Sequence, residues 1–430
     1  MSALQARFAE PEPNMPGETV PDLSVVVVVF NMAREAPRTL LSLSPAYQRD
    51  IAAGDYEIIV VDNGSEPPFD PAVLAPLGEN FRLIRMDPAN PSPAAAVNRG
   101  LAEARGDIIG VMIDGARIVT PGLLHFASTG ARLYPRSVVA ALTWHLGFDM
   151  QSAALEAGYD AAEEDALLTS IGWPADGYRL FDIATLAGSS TDGWFLPISE
   201  SNALFLSRAS WEMLGGYDER FDKPGGGLVN LDTYRRAVEL PGAEVVLLLG
   251  EGTFHQVHGG VATNARRSSF GKTWSEWAGE YKAIRGTDWA EPRPRHEPTY
   301  LGRLPRNVLS RFVRSALEPA RAKLGGAEPP LGRSFDRELW AMVPPLVPSD
   351  PLVAKLVALA HREMRAGRYE ACAAVARVAR RHAPEEPELR RLLALVGPTL
   401  PGDGPPADRE AFEQALREAY DLLAALGPNK

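Results

Sequence analysis

Ser24-Val-Val-Val-Val-Val-Phe30 is an unbroken apolar run, nearly all β-branched. A strand with one wet face alternates apolar and polar residues, whereas one buried on both faces does not. The run therefore predicts a strand inside a helix-covered sheet, and its neighbours repeat the pattern. Residues 34–43 read as a helix. Glu57-Ile-Ile-Val-Val61 is a second strand, closed by the turn cluster Asp62-Asn-Gly-Ser65. Residues 81–86 form a third strand, and residues 94–105 a helix stopped by Gly106. Residues 107–113 form a fourth strand. This βαβαβ order predicts an open, doubly wound, mostly parallel α/β sheet, in which ligands bind beyond the carboxyl ends of the strands. Asp62 and Asp114 both fall there.

Around this core the bulk properties set bounds. At 430 residues the chain is too long for one ordinary core and suggests two or three domains. A hydrophobic content of 45% with 23% charged residues belongs to a globular chain, not a disordered one. Cys372 stands alone, so no intrachain disulfide forms, which fits a reducing compartment. Residues 1–21 read as a flexible segment without the apolar core of a signal peptide, and no apolar run is long enough to span a bilayer. The expected location is cytoplasmic, with peripheral contact at the inner face of the membrane as an option. A net charge of −11 argues against nucleic acid as a partner.

The rest of the chain divides by pattern. Residues 143–195 read as a loop-and-helix insertion over the site. Regularity returns with a strand at 201–206, a short helix at 209–214, a helix at 228–240 and a strand at 245–249. Residues 291–330 are a basic extension and linker, in which Arg306, Arg311, Arg314, Arg321 and Lys323 flank Val308, Leu309, Phe312 and Leu317 at helical spacing. A helix over 306–323 could lie in an anionic membrane interface or pack on the protein. Residues 331–430 read as helical. Gly367-Arg-Tyr369, Ala373 and Pro384 fall where a helix-turn-helix unit of tetratricopeptide type has them, and residues 408–426 form a last amphipathic helix. A single unit cannot bury its own face, so it packs on neighbouring helices or on a protein partner or second copy.

Several polar residues stand where chemistry is expected. A carboxylate at Asp62 can accept a hydrogen bond from a nucleobase N–H, although Asp-Asn-Gly is also good turn chemistry. In Asn98-Arg-Gly100 the glycine suits a close backbone approach. Asp114-Gly-Ala116 can present a carboxylate to a divalent cation on a diphosphate, or simply cap a turn. His255 and His258, in Phe254-His-Gln-Val-His-Gly-Gly260, read as lying just past a strand at the same end of the sheet.

Taken together, these segments resemble the family 2 nucleotide-sugar glycosyltransferases of GT-A fold over roughly the first 270 residues. Ser24–Asn31 resembles the family's opening strand and Val60–Ser65 its nucleotide-binding turn. Asn98-Arg-Gly100 with Ala104-Arg-Gly-Asp107 is similar to its Asn-x-Gly…Ala-x-Gly-Asp stretch. Ile113–Ala116 falls at its metal-binding Asp-x-Asp, residues 202–221 at its acceptor-side segment, and residues 228–237 at the helix bearing its catalytic base. The resemblance implies a GT-A domain over residues 22–290 and an inverting transfer from a nucleoside-diphosphate sugar to a glycan, lipid-linked or small-molecule hydroxyl. It implies Phe30, Asn31, Asp62, Asn98 and Asp114 as nucleotide contacts. Asp114, His255 and His258 would hold Mn²⁺ or Mg²⁺, or act on the diphosphate directly. Two departures stand out: Ala116 replaces a carboxylate of the metal motif, and Asn230 occupies the position of the base. Asp232 is then the first candidate for the base, with Asp192, Glu200 and Asp218 as other carboxylates on the acceptor side. The competing reading is a relative that binds sugar nucleotides or glycans without transferring them.

Overall fold

The computed structural model describes residues 20–147, 151–156, 158–191, 193–259, 267–308, 348, 350–396 and 409–424. In chain order they form β1 (Leu23–Val29), α1 (Ala36–Ser42), β2 (Tyr56–Asp62), β3 (Phe81–Arg85), α2 (Ala94–Glu103), β4 (Ile108–Met112) and β5 (Arg117–Val119). There follow α3 (Leu123–Ala131), β6 (Ser137–Leu146), α4 (Gln151–Glu156), α5 (Ala161–Ser170), β7 (Ala184–Leu186), β8 (Leu204–Ser207) and α6 (Arg208–Leu214). Then come α7 (Val229–Val238), β9 (Glu244–His255), α8 (Arg267–Arg285), β10 (Thr299–Gly302), α9 (Pro351–Arg365), α10 (Tyr369–His382), α11 (Pro387–Val396) and α12 (Arg409–Ala424). They group into two compact units. One is drawn from Met1–Leu146, Met150–Asp160 and Ala184–Pro305, the other from Gly147–Asp149, Ala161–Ile183 and Arg306–Lys430.

The first unit is built on one sheet of order β10-β9-β6-β8-β4-β1-β2-β3. Strands β1 to β4 run parallel, as the βαβαβ reading requires. β8 enters antiparallel between β4 and β6, and β6, β9 and β10 are parallel among themselves. This is a sheet of GT-A type. Every residue of β1 is buried, and the two faces of the strand explain why. Val25, Val27 and Val29 share an apolar cluster with Ala36, Leu40, Leu123 and Leu124 from α1 and α3. Val26 faces α2, where the position of a Cβ on Gly100 would lie 2.9 Å from Val26 Cγ2. A side chain is excluded there, so the glycine is what lets α2 sit on the sheet.

The weakly patterned middle of the chain hides most of what the sequence reading does not assign. Residues 117–142 contain β5, α3 and the start of β6, and β6 runs on to Leu146 inside the expected insertion. β9 extends six residues past the expected end at 249. Gly250 and Gly252 obscure the pattern, yet the strand continues past a register shift opposite Ala140 and Leu142. Consequently His255 is the last residue of β9 rather than part of a following loop. β10 adds to the same sheet from within the stretch read as basic extension. Of the expected helix over 306–323 only a short 3₁₀ turn at Arg306–Val308 lies among the described residues.

The second unit gathers α5 and the turn Gly177–Ile183 with α9 to α12. Asp350 caps α9 by accepting from Leu352 and Val353 N–H, and Gly367, at φ 72°, turns the chain into α10. Leu356, Ala360, Ala373, Val375, Leu392 and Ala419 from four helices share one apolar cluster. The helices thus bury one another's apolar faces, as amphipathic helices must. A buried polar group is embedded there: Glu388 accepts from His361 and from Arg391 Nη1. Among the described residues no helix is long and apolar enough to cross a membrane.

The contact between α2 and β1 yields a direct test. Gly100→Ala must push α2 off Val26 and should cost about 1–3 kcal/mol of stability, the usual scale of overpacking. The urea midpoint should fall with the denaturant slope unchanged; an unshifted midpoint would mean that α2 accommodates the methyl freely.

Candidate functional site

Parallel strands bring their carboxyl ends to one edge, and the polar residues of the first unit collect there. Asp62 ends β2, Asp114 lies two residues past β4, and His255 ends β9. Glu200, Ser201 and Asn202 precede the antiparallel β8, whose first residue Leu204 pairs with Val111 near the end of β4. Arg117, His255 and His145 are register partners across β5, β9 and β6, so their side chains stand in a row on one face of the sheet.

Asp114 is the centre of this edge. Its Oδ1 caps the turn by accepting from Ala116 N–H, and its Oδ2 faces three nitrogens. His255 Nε2 lies 3.0 Å away, Arg117 Nε 3.3 Å and His258 Nε2 3.7 Å, while the two imidazole Nε2 atoms are 3.0 Å apart. Burial opposes ionisation of Asp114, but the positive fields of His258, His255 and Arg117 overcome it and hold the carboxyl well below its usual range. Burial, with Arg117 beside it, pushes His255 down to about 4. Burial also lowers His258, but the Asp114 carboxylate outweighs it and the net shift is upward. His145, edge-on to His255, is driven well below its ordinary value by burial first and then by His255 and Arg117.

The donor set at Asp114 fits a divalent cation. His255 Nδ1 faces Gln151 Oε1, which accepts the Nδ1 proton and leaves the Nε2 lone pair facing Asp114 and His258. Lone pairs from two imidazoles and a carboxylate, all within 4.8 Å of one another, repel unless a proton or a cation lies among them. Their separations are those of neighbouring ligands on one ion with bonds of about 2.1 Å. Ala116 is fully buried in the apolar cluster of the sheet, where a carboxylate would be unsolvated, so one acidic ligand is missing. Arg117, the next residue, turns a positive charge back toward Asp114 instead.

Beside this corner lies a chain of amide contacts. Tyr217 O–H donates to Asn230 Oδ1 at 3.0 Å, and Asn230 Nδ2 donates to Glu200 Oε2 at 2.7 Å. Asn230 Nδ2 also lies 3.5 Å from Asn202 Oδ1, and Asn202 Nδ2 donates to Thr143. Glu200 thus faces an amide at the position where the family resemblance implies a carboxylate. At that spacing Asn230 offers Glu200 a hydrogen-bond donor, where a second carboxylate would only repel it.

On the nucleotide side, Phe30 is 47% exposed at the end of β1, and Asn31, at φ 52°, ties β1 to the turn after β2. Asn31 N–H donates to Ser65 Oγ, and Asn31 Oδ1 accepts from Glu66 N–H. Asp62 is buried and already engaged: Oδ1 accepts from Ser65 N–H, and Oδ2 from Phe69 N–H and Arg85 Nη1. Burial opposes its charge, but those hydrogen bonds and the Arg85 guanidinium prevail and lower its pKa. Asn98 does not join this group. Its amide grips the loop after α6, exchanging hydrogen bonds with the backbone of Tyr217 and donating to Glu219.

Asp232 is also set apart. It is 1% exposed, accepts from Arg236 Nε at 2.8 Å, and takes a two-pronged contact from Arg285 at 2.7 and 2.6 Å. Arg236 also donates to Leu214 and Gly216 carbonyls, and Arg285 pairs with Asp218. Asp232 is therefore the hub joining α7, α8 and the loop after α6. A buried carboxylate that already accepts three hydrogen bonds from two guanidiniums is held as a structural anchor, which argues against the base role expected for it. Asp218 is likewise fixed: burial works against its charge, but Arg220 and Arg285 hold it far below the ordinary range. Asp192 lies outside the described residues. The sequence reading overlooked Arg117, His145, Gln151, Tyr217 and Arg85. Of these only Arg117, directly after Asp-Gly-Ala, carried a signal that could have been read.

Residues 24–114 match the model for Glycosyl transferase family 2. No curated protein matches the chain. Solved structures that resemble it include Staphylococcus aureus TarS 1-349, at 12% identity and TM-score 0.36, covering 91% of both chains. The mannosyltransferase PcManGT from Pyrobaculum calidifontis, in complex with GDP-Man and Mn²⁺, shows 16% identity and TM-score 0.36, over 98% of this chain and 91% of the other. Glucosyl-3-phosphoglycerate synthase from Mycobacterium tuberculosis, with Mn²⁺, UDP and glucosyl-3-phosphoglycerate, shows 16% identity and TM-score 0.38, over 67% and 84%.

The clamp on Asp232 predicts a loss of stability rather than of chemistry. Asp232→Asn leaves Arg236 and Arg285 half-paired and should cost about 3–5 kcal/mol on unfolding, the range for breaking a buried ion pair. Chemical denaturation would show it. A stable variant whose turnover alone had fallen about 100-fold would restore Asp232 as the base.

Proposed function

We propose that this protein is a glycosyltransferase that moves a sugar from a nucleoside-diphosphate sugar to an acceptor hydroxyl with inversion at the anomeric carbon. One observation carries the reading. At the last residue of the family-matched segment, Asp114 meets His255, His258 and Arg117 at the carboxyl edge of the sheet, on the side where Glu200 faces Asn230. An anion-binding corner and an adjacent base are the two devices that such a transfer needs.

In this reading Phe30 offers its exposed ring to the nucleobase, and Asp62, held by Ser65, Phe69 and Arg85, borders the base or ribose. A divalent cation held by Asp114, His255 and His258 would supply positive charge to the diphosphate. Gln151 orients His255 through Nδ1, and His145 keeps the back of that ring dry. Glu200 takes the acceptor hydroxyl proton as the oxygen attacks the anomeric carbon. The new C–O bond forms as the bond to the diphosphate oxygen breaks, and the electron pair leaves on the diphosphate. Asn230 positions Glu200 by donating to Oε2 and is itself held by Tyr217.

Glu200→Gln should lower turnover by roughly 100-fold or more, the scale of losing a general base, with donor affinity unchanged. Release of nucleoside diphosphate from a panel of sugar nucleotides, with calorimetry for affinity, separates the two quantities. Full turnover in the variant would exclude Glu200. The amide at position 230 favours the binder as a second reading: in that case every donor binds and no diphosphate is released by the unaltered protein.

Metal binding is tested apart from turnover. Asp114→Asn removes the only acidic donor of the corner and should weaken Mn²⁺ binding about tenfold or more, since such cations prefer charged oxygen ligands. Titration of the protein with Mn²⁺ alone would detect it; unchanged affinity would move the ion elsewhere.

A further inference from the structure

Arg117 is the strangest residue of the site in physical terms. It opens β5, and its side chain is only 7% exposed. Its ion pair with Asp114, 3.3 Å from Nε to Oδ2, falls outside hydrogen-bond geometry, and the buried Nε and Nη1 have no hydrogen-bond partner. A guanidinium carries five N–H donors in a planar fork and keeps its charge at any working pH. Burying such a group with donors unpaired is costly, so a folded protein retains it where a ligand completes the set. The ligand must be rich in anionic oxygen, since a fork of N–H groups matches phosphate or carboxylate.

The surroundings say which. Arg117 leans on Asp114, where the two histidines also converge, and lies in the field of the Glu200 carboxylate. The Arg117 guanidinium lies against the Asp114 carboxylate at 3.3 Å, where it competes with a cation for that carboxylate, whereas a diphosphate meets an unfilled fork of N–H donors. We propose that Arg117 is a diphosphate-binding residue: a fixed cation built into the sheet that contacts the β-phosphate oxygens of the donor and neutralises the leaving group. It sits next to the position where Ala116 leaves the metal corner one carboxylate short. This inference rests on the transferase reading and adds that diphosphate binding persists without metal.

The probes are inorganic pyrophosphate in excess EDTA and Mn²⁺ alone, each measured by calorimetry on the full chain. The unaltered protein should bind pyrophosphate in EDTA. Arg117→Met should weaken that binding by about tenfold or more, the scale of losing charge-assisted hydrogen bonds. Arg117→Lys keeps the charge without the fork and should fall between the two. The same Arg117→Met variant should bind Mn²⁺ more tightly than the unaltered protein, because Asp114 loses its competing cation. A merely misfolded variant would lose both ligands, so the opposite signs guard the test, and the Lys variant provides a second. Equal pyrophosphate affinity in the unaltered and Met proteins, or unchanged Mn²⁺ affinity, overturns the inference. Pyrophosphate binding that appears only with Mn²⁺ overturns it while leaving the transferase reading intact. Failure of pyrophosphate, UDP and GDP to bind with or without Mn²⁺ removes both.

Discussion

Strand β1 pairs in parallel with β2 along its full length and with β4 over Leu23–Val27, and the site depends on that register. Parallel pairing sends the carboxyl ends of three strands to one edge, so residues far apart in sequence must meet there. Ser24 holds the register: its Oγ donates to Glu57 on β2 and accepts from Arg105 and Gly106 N–H, contacts that a one-residue slip would break. β8 and β9 complete the edge from the other half of the sheet. Glu200 reaches it from the residues before an antiparallel strand, and His255 from the end of a parallel one.

Charge explains the division of labour among the carboxylates. Asp232 and Asp218 are spent on Arg285, Arg236 and Arg220, and so brace the loop that Asn98 also grips. Asp62 is surrounded by donors that keep it ionised and still. Glu200 differs: its described hydrogen bond comes from the neutral amide of Asn230. The amide at position 230 looks like damage in a linear motif. In three dimensions it is the donor that positions a carboxylate thirty residues earlier.

The corner at Asp114 shows a similar exchange. Ala116 packs into the apolar cluster with Met32 and Ala36, so a carboxylate could not be restored there without desolvating it. The adjacent Arg117 brings positive charge to the place where a second acidic ligand is absent. Gln151, from a helix that the sequence reading had folded into an insertion, fixes the proton on His255 and so decides which nitrogen faces the site.

By itself the sequence determined the parallel half of the sheet, because a strand buried on both faces and a glycine under a helix leave compositional marks. It also determined that Asp62, Asp114 and His255 share an edge, since strand ends and βαβ order place them there. It did not determine β6 or the end of β9: Trp144, His145, Gly250 and Gly252 break both periodicities, and only pairing with neighbours makes those stretches strands. Nor did it determine the partners of the carboxylates. Asp232 and Glu200 are equally acidic on paper. Only the tertiary structure set two arginines against one and an asparagine against the other, and that contrast in counter-charge separates a structural hub from a candidate base.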